Sequence, residues 1–234
     1  MKMFKMTALS FVLITSIGSF STMAAETSQI SVKGAVFPSA CSISVDGAAD
    51  FGILKKNELQ GKNNPEDGYQ LGYKPINFNI QCNSAAKLAL SAQSDLLDSQ
   101  TSEVNVQSYL NEAESETNSL PEQRASLGVV DGRDIGLFTV LLASVSLNDK
   151  SAEILSDNSS HGSNWEVVTT KLGHLMFQDS SIMHSWGSTE GIPLEATNIS
   201  GVINISAALD PKVVDVVKDA IDFNTGTTLS LHYL

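Results

Sequence analysis

The chain has 234 residues, a formal net charge of −12, 42% hydrophobic residues and only 6% aromatic ones. That length suits one large domain or two small ones and is enough to bury a substantial core. The acidic balance excludes nucleic acid and anionic membrane surfaces as partners, because no basic cluster offsets it.

Lys2 and Lys5 precede an apolar run, Ala8 to Ile17, which is followed by small residues at Ser21, Thr22, Ala24 and Ala25. This is the pattern of a secretory signal peptide, residues 1–24, with an apolar core too short to span a membrane. Cleavage after Ala24 removes Lys2 and Lys5 and no acid, taking the net charge from −12 to −14. The mature chain, 25–234, is expected to be one exported β domain.

Ile30, Val32 and Val36 alternate with polar or small residues, the period of a strand with one buried face, and Gly34 interrupts that face. Beyond Pro38 comes Cys41. The second cysteine, Cys82, closes another alternating run, Ile76, Phe78 and Ile80. Export and an even cysteine count predict a Cys41–Cys82 disulfide over a metal site or a thiol nucleophile. Closing a loop of about forty residues is worth roughly 4 kcal/mol in the chain-entropy picture.

Ser42 to Val45 and Asp50 to Leu54 read as short extended pieces, and Lys55 to Gly72, rich in Asn, Gly and Pro, as a loop. Leu88, Leu90 and Ala92 give the next strand. Residues 94–124 carry seven acids against the single base Arg124 and read as an acidic insertion, with one short strand around Val104, Val106 and Tyr109. Ser126 to Val130, the turn at Asp131-Gly132 and Ile135 to Leu147 predict a hairpin. Its second arm is apolar on both faces, which calls for burial on both sides. Trp165 to Thr170 and Leu172 to Phe177 are further extended candidates. Thr197 to Leu209 alternates over its whole length and is placed beside or near the terminal strand, Asn224 to Leu234. Between them Asp210-Pro211 caps a short helix with helical apolar spacing from Val213 to Ile221.

Catalytic and metal chemistry find little support in these residues. His161, His174, His184 and His232 lack the spacing of zinc ligands. No G-x-S-x-G elbow occurs, and His184-Ser185-Trp186-Gly187-Ser188 reads as a polar turn. Glu112, Glu114 and Glu116 alternate without the glycine of a calcium loop and read as a solvated face. No cofactor and no metal is expected. Trp165 is placed in the core; Trp186 and Tyr109 remain open between core and a sugar-stacking surface.

The run Ile30 to Cys41, the second cysteine closing a strand, Asp50-Phe51-Gly52-Ile53, and the penultimate Tyr233 on an alternating last strand together resemble bacterial chaperone/usher fimbrial subunits. The resemblance is nearest to the GltF-like fimbrial proteins, a family without a settled function. It departs where larger pilins carry a glycine near the C-terminus, since Ile221 stands there. It implies an all-β, immunoglobulin-like, pilin-type antiparallel sandwich, and a non-enzymatic subunit assembled by donor-strand exchange. The implied partners are a periplasmic chaperone, an outer-membrane usher and other subunits, on a route from the periplasm to a fimbrium or the cell surface. It assigns Leu229, Leu231 and Tyr233 to chaperone pairing and Ile30, Val32, Gly34 and Val36 to a donor or first strand. The short extension before Ile30 favours accepting a strand over donating one. A tip adhesin that binds a host receptor and a free-standing periplasmic binding protein are the alternatives.

Overall fold

The computed structural model describes residues 40–62, 68–98, 101–157, 159, 162–216, 218 and 220–234. The expected signal peptide, the strand at Ile30, Val32, Gly34 and Val36, and His161 lie outside these residues. In chain order come β1 (Cys41–Asp46), α1 (Lys56–Lys62), β2 (Tyr69–Ala86), β3 (Leu88–Ser94), β4 (Val106–Asn111) and β5 (Glu114–Asn118). Then follow β6 (Arg124–Ser126), β7 (Val129–Val130), β8 (Arg133–Asp134), β9 (Gly136–Leu147), β10 (Lys150–Ser151) and β11 (Glu153–Asp157). The chain ends with β12 (Trp165–Val167), β13 (Met183–Gly187), β14 (Ala196–Leu209), α2 (Pro211–Val214) and β15 (Thr227–Tyr233).

Two antiparallel sheets form a sandwich. The first has the order β1-β2-β14-β9-β10, with β6 also paired to β9; the second has the order β12-β11-β13-β3-β15. Their inner faces share one core, to which Phe78, Ile80, Phe138 and Ile199 contribute from the first sheet and Leu88, Leu90 and Trp186 from the second. Gly201 on β14 leaves room for the ring of Phe78, since a Cβ there would sit 2.6 Å from that ring.

Cys41 and Cys82 face each other directly across the β1–β2 ladder and are bridged, with their Cα atoms 4.1 Å apart. The neighbouring pair carries the hydrogen bond, from Asn83 N to Ala40 O, so the cysteines occupy a non-hydrogen-bonded position, where side chains approach closely enough to link.

The hairpin at Asp131-Gly132 is present. Both turn residues have positive φ, 51° and 76°, as a two-residue turn between twisted strands requires. A second such turn, Asn148-Asp149, joins β9 to β10.

β9 is buried along nearly its whole length. Its outer face is covered by the acidic stretch, which contains a hairpin of β4 and β5. Val104 and Val106 form a small second apolar cluster with Leu137 and Ala208. The Ser108 and Thr139 hydroxyls lie 2.8 Å apart, and Asn204 Nδ2 donates to Tyr109 O and Leu110 O at 2.9 Å. Arg124 Nη2 pairs with Asp98 at 2.7 Å, both side chains almost wholly out of water, and Arg124 Nη1 donates to Val104 O at 3.0 Å.

Several expectations need correction. The stretch from Lys55 to Gly72 is not all loop: it holds α1 and the start of β2. The alternating β14 is not hydrogen-bonded to the terminal strand but lies between β2 and β9 in the opposite sheet. The short helix after Asp210 is present as one turn of four residues, with Pro211 in it and the Asp210 carboxylate accepting from Lys212 N, in agreement with the sequence. Trp165 is only half-buried on the edge strand β12, whereas Trp186, on an inner strand, is fully buried.

Candidate functional site

The two sheets end, on one side of the sandwich, in β1 and β15. Among the described residues β1 pairs only with β2 and β15 only with β3, so each strand has one edge without a ladder partner. An unpaired edge is a template for another strand unless something covers it.

Between these edges runs a groove that encloses a cavity of about 460 Å³. Its floor is the sandwich core, with Ile76, Phe138, Val140, Ile203 and Ile205 from the first sheet and Leu229 from the second. One wall is Gly47 to Gly52, the continuation of β1. The other is Ile221 to Thr227, the approach to β15. Phe51 and Phe223 pack against the core from opposite walls while remaining partly exposed.

The last strand orients three of the residues assigned from the sequence. Leu229 and Leu231 pack against the core and are only partly covered, and Tyr233, on the same alternation, is 54% exposed. At this end the Cys41 N–H donates to the Tyr233 hydroxyl at 2.9 Å, tying the start of β1 to the end of β15 beside the disulfide. On the opposite face of β15, His232 Nε2 lies 2.8 Å from Ser91 Oγ.

The wall residues were missed by sequence reasoning, apart from the Asp50-Phe51-Gly52-Ile53 phrase that contributed to the family resemblance. Nothing local marks Ile221 to Asn224 as a wall, because its partners are distant in sequence.

The remaining chemical candidates do not converge. Ser185 Oγ donates to Leu88 O at 2.7 Å inside the sandwich. Glu112, Glu114 and Glu116 lie at the exposed end of the β4–β5 hairpin. No three His, Cys, Asp or Glu side chains come close enough to hold a metal among the described residues. His184 is fully buried, its Nε2 is 2.9 Å from Gly173 O, and burial pushes its pKa down to about 4. Burial also lowers His174, whose Nδ1 is 3.0 Å from Leu142 O.

This histidine gives an acid-sensitivity prediction. Between about pH 4 and the ordinary value of 6.5 the unfolded chain binds a proton at His184 that the folded chain does not. The stability tied to the neutral ring is therefore complete above pH 6.5 and lost as pH falls toward 4, by about 3 kcal/mol in all. Urea unfolding midpoints measured from pH 7.5 to 4.5 should fall steeply in the parent and less in His184→Gln; equal slopes rule out this origin.

Residues 30–139, just under half of the chain, match the model of a family described as a protein of unknown function, DUF1120. No curated protein matches the chain. A chain from a chaperone-usher pilus, solved for the molecular basis of rod uncoiling, is similar at 12% identity and a TM-score of 0.37, with 91% of this chain and 99% of that chain covered.

Proposed function

We propose that the protein is a secreted, non-enzymatic fimbrial-type subunit, assembled by donor-strand exchange through a periplasmic chaperone and an outer-membrane usher. The observation that carries this reading is the apolar groove between the edges of β1 and β15 that have no ladder partner among the described residues, with the sandwich core as its floor. An extended segment with alternating apolar residues meets both demands of such a groove: its backbone pairs the open edges and its side chains fill the floor. In this reading a chaperone strand occupies the groove first, beside Leu229, Leu231 and Tyr233. The Ile30, Val32, Gly34 and Val36 segment of another subunit, or of a copy of this chain, then replaces it. The intact Cys41–Cys82 bridge agrees with export to an oxidising compartment.

The test is expression of the parent chain with and without its cognate chaperone. Strand exchange predicts soluble periplasmic protein only with the chaperone. Equal yields of folded monomer in both would sink it and favour a free-standing periplasmic protein.

A further inference from the structure

The two walls of the groove have little backbone pairing of their own. In the described residues Gly47 to Lys55 forms no ladder and carries local bonds, such as Asp50 N to Ala48 O and Gly52 N to the Asp50 carboxylate. Ile221 to Gly226 likewise forms no ladder, and Gly226 O is held by Asp95 N only where β15 is about to begin. Apolar packing of Phe51, Leu54, Ile221 and Phe223 holds both walls loosely against the core.

Both walls lead to one residue. The first runs directly into α1, and the second follows α2, whose last turn is closed by the Asp215 N–H donating to Pro211 O. Asp215 joins the two. Its carboxylate accepts from Gln60 Nε2 of α1 at 3.0 Å and from the Tyr69 hydroxyl of β2 at 3.1 and 3.0 Å, and its backbone carbonyl accepts from Lys56 Nζ. Tyr69 is 1% exposed and its hydroxyl also meets the Gln60 side chain, so Tyr69, Gln60 and Asp215 converge at one point. A hydrogen bond donated to a carboxylate is about twice as strong as one between neutral groups, which makes this link the strong member of the set.

We infer that Asp215 is a positioning residue for the groove: a clasp that ties α1, into which one wall runs, and the end of α2, ahead of the other wall, to Tyr69 of β2, so that the groove retains a bound strand. This rests on the groove being the strand-binding site. The clasp predicts that the two walls, distant in sequence, loosen together when it is cut, and that a bound strand then leaves faster.

The experiment uses the exported, disulfide-bridged chain and its Asp215→Ala and Tyr69→Phe variants. Limited proteolysis without any ligand should cut within both 48–54 and 221–226 at least tenfold faster in Asp215→Ala than in the parent, with β9 and β14 uncut in both. Loosening of one wall alone, or of neither, overturns the clasp. A fluorescein-labelled peptide of residues 28–37 is the strand probe. Its dissociation rate should rise at least tenfold in Asp215→Ala and about threefold in Tyr69→Phe, while Ile154→Val, a core change in the other sheet, leaves it unmoved. A parent that binds the peptide and variants that release it at the parental rate overturn the retention role and leave the groove reading intact. A parent that does not bind the peptide overturns residues 28–37 as the retained strand, and the retention role with it, while the groove reading stands or falls on the chaperone-dependence of expression.

Discussion

Arg124→Met is expected to lower the unfolding free energy by about 3–5 kcal/mol, because it removes the cation from a carboxylate that stays buried. The Asp98 side chain has no exposure to solvent and its partner is 7% exposed, at a separation of 2.7 Å. Arg124 also satisfies Val104 O, so the same change loosens the strand leading into the β4–β5 hairpin. With a urea dependence of about 2–3 kcal/mol per molar for a domain of this size, the unfolding midpoint should drop by more than 1 M. Pairing Arg124→Met with Asp98→Leu should recover most of that loss, since neither charge is then stranded. A single variant within 1 kcal/mol of the parent shows that the pair does not hold the acidic stretch to the sandwich.

That ion pair also shows where the sequence could and could not be read. The two-faced apolar pattern of β9 demanded a second covering layer, but its source was hidden because the covering stretch is mostly polar. Val104 and Val106 read as one short strand and Arg124 as a lone base, and nothing local shows that they carry the packing. The strands with long regular alternation, β2, β14 and β15, and the cysteine pair were legible because one sheet face is apolar and the other is not. α1 was not: Lys-Asn-Glu-Leu-Gln-Gly-Lys has a single apolar residue, Leu59, and the helix is held by Asp215, far along the chain. Trp165 and Trp186 look alike locally, and only strand order, edge against interior, separates them. The same limit applied to the groove. Its terminal-strand side was readable as Leu229, Leu231 and Tyr233, while its walls are irregular segments brought together by the fold.

Leu231→Asp is expected to abolish recovery of the protein with its chaperone and to leave it aggregated or degraded in the periplasm. Leu231 lies one alternation beyond Leu229, which lines the groove, on the same face of β15, packed on the core yet partly exposed. Full covering of a leucine by an incoming strand is worth about 1.5–3 kcal/mol, and a carboxylate in its place must be desolvated instead. Each backbone hydrogen bond along the free edge adds about 1 kcal/mol net, so a strand that cannot seat at Leu231 also forfeits the ladder bonds on either side. Thr228→Asp puts the same charge on the same strand but on the opposite, exposed face, next to the groove in sequence and away from it in space. It should co-purify with the chaperone as the parent does. The comparison separates the face from the strand: if both variants are captured equally, the groove side of β15 is not where the partner binds. If both are lost equally, the strand tolerates no charge at all and its role is in the fold alone.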